Sequence, residues 1–209
     1  SLGVSGLAWW LGSYVLLFAM LLGFVFIAPL LAVGLYAVSR HLAAGRRVTV
    51  SRCLREMRRA WGQAAIFALV LLVIFLVWAR AGSMVHVFFP VEQNAGWLPL
   101  LLFLAIGSVV GSIFALVVFA CAVFSLPMVA DRDVDMITAV ITSINAVLRN
   151  RLAMAVWLVL IVALTAIGMA TATLGLGLVV PWLGYATWHG YMRTIDASDW
   201  PQVPLGADV

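Results

Sequence analysis

The chain contains no lysine, and its 209 residues carry only 12 basic and 8 acidic side chains, every basic one an arginine. Residues 1–39, 60–79, 93–130 and 152–192 contain no Asp, Glu, Lys or Arg at all. Each of these intervals is at least as long as the roughly 20 residues that cross the hydrocarbon core of a bilayer. With 66% apolar and 10% charged residues and a mean hydropathy of +1.16, a water-soluble domain of this size has too little polar surface to cover its core.

The scarcity of ionisable groups excludes several chemistries. Cys53 and Cys121 have no motif spacing, so neither a disulfide framework nor a zinc site is expected. The three histidines, His41, His86 and His189, fall at different expected depths, and no pair is placed to hold a haem. The span interiors have no ionisable residue, which removes the usual signature of an ion or proton path. Ser5 in GVSG and His189 resemble the Ser and His pair of rhomboid intramembrane proteases, but they belong at opposite ends of their spans, beyond hydrogen-bond reach. No catalytic residue, metal ligand or cofactor is therefore assigned. The arginines cluster beside apolar spans instead of covering a soluble face, which points to membrane lipids and other membrane subunits as partners and away from nucleic acid.

What is present is a topology. Residues 39–59 hold seven of the twelve arginines and are expected on the cytoplasmic side. Residues 80–96 suit the outside, 131–151 the inside, 171–177 an outer turn, and Arg193 a last return inward. A chain that opens on Ser1 and is apolar from Leu2 is expected to be processed or to continue from an N-terminal part, so residues 1–11 read as the end of a first span. The expected fold is an all-α transmembrane bundle of six spans: 1–11, 14–38, 61–80, 105–130, 152–170 and 175–193. Residues 1–193 form one domain, 194–209 a short polar tail, and both termini lie in the cytoplasm of a bacterial inner membrane. Residues 93–130 are expected to cross once, because Gly96 and Pro99 break their start. Pro29, Pro127 and Pro181 each sit in a span running inward, which suggests a weakly duplicated unit.

Two amphipathic segments are expected at the inner interface. Residues 51–61 put Cys53, Leu54 and Met57 on one side. Arg46, Arg47, Arg52, Arg55, Arg58 and Arg59, in and just before this segment, are the candidate contacts to anionic lipid. In residues 134–148, Val134, Ile137, Val140, Ile141, Ile144, Val147 and Leu148 recur at helical spacing, with Thr138, Thr142, Ser143 and Asn145 on other faces. The preceding DRDVD imitates a calcium loop, but Met136 stands where a glycine is needed and Thr142 where a glutamate is needed. Its carboxylates instead suit the N-terminus of the surface helix. Gly107, Ser108, Gly111 and Ser112 repeat at the small-residue spacing of packed spans and are candidate partner contacts. Trp61, Trp78, Trp97, Trp182 and Trp188 are expected near the interfaces.

At APLLAVGLYAVSR, at SLPMVADRDVD with the following TSINAVLRN, and at PWLGYATWHGY, the chain resembles a bacterial domain-of-unknown-function family of integral membrane proteins. The resemblance runs from about Ser13 to Met192. Some members of that family carry a cytochrome c oxidase label. It implies a helical membrane fold and, at most, an accessory role near respiratory machinery, since three histidines do not suit a haem-copper catalytic subunit.

The leading expectation is a non-catalytic accessory or assembly subunit of a larger inner-membrane complex, respiratory or photosynthetic. The alternative is a small-solute channel or transporter with a polar cavity lined by Tyr36, Ser39, Tyr185, Thr187 and His189, helped by unwinding at Gly175, Gly177 and Pro181. A lipid-modifying activity would have to use the one candidate polar site, Asp131, Asp133 and His189.

Overall fold

A computed structural model describes residues 14–46, 49–88, 97–171 and 173–204. The uncharged runs become helices: α1 (Tyr14–Ala43), α3 (Trp61–Phe88), α4 (Trp97–Ala122), α7 (Arg151–Ala170) and α8 (Leu176–Thr194). Between them lie the shorter α2 (Val50–Arg59), α5 (Ser125–Asp131) and α6 (Met136–Arg149). Trp61–Val85, Trp97–Asp131 and Arg151–Ala170 are long and apolar enough to cross a membrane, with mean hydropathies of 2.6, 2.7 and 2.5. The expected first span, residues 1–11, lies outside the described residues, as do residues 89–96 before α4.

Local chemistry sets the boundaries. Helix α1 ends in a Schellman turn: Arg46 N–H bonds to the His41 carbonyl and Gly45 N–H to that of Leu42, both at 3.0 Å. Gly45 occupies φ +68°, where a side chain would be strained. Asp135 caps α6, its Oδ2 accepting from Thr138 N–H at 2.8 Å, so one carboxylate of DRDVD serves the helix start. At the other end of the bundle, Thr171 Oγ1 donates to the Gly168 carbonyl at 2.8 Å and accepts from Gly175 N–H at 2.9 Å. A Cβ on Gly168 would approach Leu176 Cδ2 to 2.7 Å, so α7 and α8 meet through bare backbone.

Several expectations are corrected. Helix α4 starts at Trp97, not near residue 105, and runs through Pro99. In the first turn an amide has no helical acceptor, so proline costs nothing there. The helix then stops at Ala122, short of residue 130. Pro127 cannot donate to the Val123 carbonyl, and the Phe124 amide is also diverted. It donates to Ser143 Oγ at 3.1 Å, while Ser143 Oγ donates to the Ala120 carbonyl at 2.7 Å. One hydroxyl from α6 thus replaces the hydrogen bond that Phe124 would have made to Ala120, and the insertion bends the chain. Ser143 is fully buried, not on a polar outer face. Helix α8 continues unbroken through Pro181, and Gly175 is packed against Gly168 instead of opening the helix. Pro127 lies in the first turn of a short helix, whereas Pro29 and Pro181 lie inside long ones, so the three prolines do not mark equivalent positions. Trp188 is buried beside Tyr191, while Trp61, Trp97 and Trp182 are exposed.

The long helices form an arc in which α4 packs on α3, α3 on α1, α1 on α8 and α8 on α7. Helix α5, buried along its whole length, lies against α1 and α6, and α6 reaches from α4 to the start of α7. Buried residues therefore gather at one pole: the last turns of α1, α4 and α8, the first turns of α3, and α5 with α6. Away from that pole the helices expose apolar faces, as membrane spans do. Helix α6 divides into three sectors: Met136, Ala139, Ser143 and Ala146 face the core, Ile137, Ile141 and Leu148 are exposed, and Asn145 and Arg149 are exposed and polar.

Replacing Ser143 by Ala leaves the buried Phe124 amide and Ala120 carbonyl without a mediator. The loss expected is about 2 kcal/mol, read as a lower melting temperature of the detergent-purified chain. An unchanged melting temperature would show that the hydroxyl does not hold the bend.

Candidate functional site

Among the described residues the densest polar cluster is a buried knot at the arginine-rich pole. The apolar stripe of α1, Val33, Tyr36 and Ala37, continues one turn later into Arg40, whose side chain is only 6% exposed. Its Nη1 donates to the Ala130 carbonyl at 2.6 Å, and its Nη2 lies 3.6 Å from Glu56 Oε1. Asp131, the next residue of α5, is also buried, and its Oδ2 accepts from Arg132 Nε at 3.0 Å and from the Tyr191 hydroxyl of α8 at 3.2 Å.

The segment after α8 closes the knot. Arg132 Nη1 donates to the Trp200 carbonyl at 2.9 Å. Asp133 N–H donates to the Pro201 carbonyl and Val203 N–H to that of Asp131, each at 2.9 Å. Residues 132 and 202 form an isolated antiparallel bridge. The part of the polar tail up to residue 204 is therefore strapped to the turn between α5 and α6. Gln63 at the start of α3 joins from the other side, its Oε1 accepting from Met136 N–H at 2.8 Å.

The three candidate polar-site residues go to different places. Asp131 is inside the knot, Asp133 is exposed, and His189 packs edge-on against Tyr185 with ring centroids 4.5 Å apart. Because His189 and Tyr191 are two positions apart, about 200° around a helix, His189 and the Asp131 partner leave α8 on different faces. Of the proposed cavity residues, Tyr36, Ser39 and Thr187 are buried. Ser39 Oγ donates to the Leu35 carbonyl at 3.0 Å, and Thr187 Oγ1 to that of Leu183 at 2.8 Å. Among the described residues no three His, Cys, Asp or Glu side chains group as metal ligands would.

The other candidates are equally specific in placement. Arg55, Arg58 and Arg59 are exposed on α2. Met57 and Glu56 tie that helix to α1, with Met57 Sδ 3.0 Å from where a Cβ on Gly34 would stand. Arg46 is half-buried, and Arg47 and the Arg52 side chain lie outside the described residues. On α4, Gly111 faces Trp78 of α3, with Nε1 3.9 Å from the site of a Cβ; a Cβ on Gly107 would have open space around it. Ser108 and Ser112 are exposed, and Ser112 Oγ donates to the Ser108 carbonyl at 2.7 Å.

Hydrogen bonding also shifts two surface carboxyls. The amide and hydroxyl of Thr138 hold Asp135 below the usual aspartate range. The side chain and amide of Ser198 do the same for Asp196.

Apart from the contact between the neighbours Arg132 and Asp131, the knot joins chain segments far apart in sequence, and most of its donors and acceptors are engaged with one another; Arg40 Nη2 is buried without a hydrogen-bond partner and faces Glu56 at 3.6 Å. That is the chemistry of a clasp in an integral membrane helical protein. The family model described as predicted integral membrane protein (DUF2189) matches residues 17–131, more than half of the chain, and the chain belongs to that family. No curated protein and no solved structure matches it. The matched region ends at Asp131, the acid at the centre of the clasp.

Arg40, Glu56, Tyr191, Gln63 and Ser143 were not expected to meet. Two signals were available: Arg40 continues the 33, 36/37, 40 stripe of α1, and Ala139, Ser143 and Ala146 repeat at small-residue packing distance. Arg40→Met strands a nearly buried Glu56 and a buried carbonyl, and should cost about 3 kcal/mol in detergent unfolding, of which Glu56→Leu in the same background restores about 1 kcal/mol. A double variant no better than the single would refute the ion pair. Asp135→Ala should cost about 1 kcal/mol at neutral pH. Because the folded-state pKa of Asp135 is depressed, its contribution is complete above the unfolded pKa. The stability difference from wild type should shrink as pH falls through the folded value, and a pH-independent difference would disprove the cap.

Proposed function

We propose that the chain is a non-catalytic accessory or assembly subunit of a larger bacterial inner-membrane complex, with its arginine-rich pole at the cytoplasmic face. The observation that carries this reading is α4. It is central in the sequence and its most apolar 18-residue window contains no buried residue; Gly111 faces Trp78 of α3, but Gly107 has open space beside it and Ser108 and Ser112 are exposed, at a spacing that favours close helix approach. A neighbouring subunit packed along α4 would supply the contacts that the chain itself does not. Helix α2, with Arg55, Arg58 and Arg59 outward, would rest on anionic headgroups.

The clasp supports a structural role, since most of its polar groups are engaged with one another. A solute path is less well supported, because Tyr36, Ser39 and Thr187 are buried, the Ser39 and Thr187 hydroxyls are bonded to their own helices, and α8 is unbroken.

A photo-crosslinking residue at Ser112, in the full chain in its native membrane, should give one discrete adduct with another membrane protein, identified by mass spectrometry. Adding Ser108→Leu should abolish the adduct without lowering the melting temperature. Adducts with lipid alone would overturn the proposal.

A further inference from the structure

We propose that the crevice between α4, α6 and α7 is a binding site for an anionic phospholipid, with an acyl chain in the crevice and the phosphate at Arg151. The crevice encloses about 420 Å³ and is walled by apolar residues, among them Leu116, Phe119, Ile144, Met154 and Leu158. Arg151 is the one charged residue in its lining, and no carboxylate is among them. It stands at the first residue of α7, and Leu158 lies about 10 Å further along the helix axis. Cation at the mouth and hydrocarbon below is the arrangement of a phospholipid at the headgroup boundary.

The Arg151 side chain is anchored but not neutralised. Its Nε donates to the Leu148 carbonyl at 3.0 Å, and it forms no ion pair with a carboxylate among the described residues. A guanidinium held by one nitrogen keeps its two terminal nitrogens for a bidentate phosphate contact.

Headgroup charge must decide the selectivity. Moving an acyl chain from surrounding lipid into an apolar crevice exchanges one hydrocarbon environment for another, with no hydrophobic gain. The arginine–phosphate contact is then the term that separates anionic from zwitterionic lipids. The crevice between α3 and α4 provides an internal contrast: it encloses about 400 Å³, is walled by Leu71, Phe75, Trp78 and Phe114, and has no charged residue in its lining. It has nothing with which to choose a headgroup. An acyl chain also suits the α4–α7 crevice better than a partner helix, which is about 10 Å across, because α6 contributes Ile144, Val147 and Leu148 to the same lining. This site does not rest on the accessory-subunit reading and fails separately from it.

The test is native mass spectrometry of the full chain, purified in detergent and given equal amounts of phosphatidylglycerol and phosphatidylcholine. The wild type should retain phosphatidylglycerol preferentially. Arg151→Gln should lower that preference about fivefold, the effect of one basic residue at a membrane surface, while Arg55→Gln with Arg58→Gln leaves it unchanged. Ala155→Trp, at an exposed position of the crevice wall, should remove the bound lipid, whereas Ala115→Trp in the uncharged crevice should keep the preference. Melting temperatures confirm that each variant is folded. Equal retention of the two lipids by the wild type, or an undiminished preference in folded Arg151→Gln, overturns the site. So does lipid retention that Ala155→Trp leaves intact while it abolishes a crosslinked protein partner.

Discussion

The hydroxyl of Ser143 stands where a helical hydrogen bond between Phe124 and Ala120 would otherwise form, and much of the packed pole depends on that substitution. Had α4 continued straight, residues 125–131 would have extended away from the bundle as further apolar helix. The bend instead lays α5 against α1, brings the Ala130 carbonyl to Arg40 and turns Asp131 toward Tyr191. The substitution needs no unsatisfied group, because one serine both accepts from the amide and donates to the carbonyl. It also needs α6 to lie close, which Ala139 and Ala146 allow by presenting almost no side chain.

A bilayer makes such contacts count. Two apolar helices gain little by leaving lipid for each other, so small-residue fit and hydrogen bonds decide which faces meet. The chain follows this division closely. Its polar contacts between elements concentrate at one pole, and the far ends of α3, α4 and α7 expose leucine, valine and isoleucine. At the α7–α8 turn the fit is achieved by absence of side chains, with Gly168 and Gly175 in contact and Thr171 bridging them. Arg40 and Asp131 are costly residues to bury, and each is offset by partners from other helices.

Much of the fold was legible because hydropathy and charge report location directly. Charge-free runs marked the long helices, arginine density marked one pole, and the capping role of DRDVD followed from the preference of aspartate for free amides. Side-chain direction was harder. Periodicity placed Ser143 with the polar residues of α6, but a serine is small enough to serve as a core residue when a bent backbone needs its hydroxyl. Gly96 and Pro99 suggested a break before α4, whereas proline in a first helical turn is neutral. Arg40 belongs to the arginine-rich segment expected on the cytoplasmic side, and the carbonyl it serves is 90 residues away. The clasp is a product of tertiary geometry, and its local sign is that Arg40 continues the buried stripe of α1.

The separation of those partners along the chain also orders the protein's assembly in time. Ala130 is 90 residues beyond Arg40, and Tyr191 is 60 beyond Asp131. At about 5–20 residues per second of synthesis, Arg40 waits several seconds for its carbonyl. The strap through Trp200, Pro201 and Val203 cannot form until α8 and the residues that follow it have been made. Until then the helices already made lack the contacts to Trp200, Pro201 and Val203 that close the knot. Residues 200–203 act as the latch of a membrane protein whose helices all precede them in the chain.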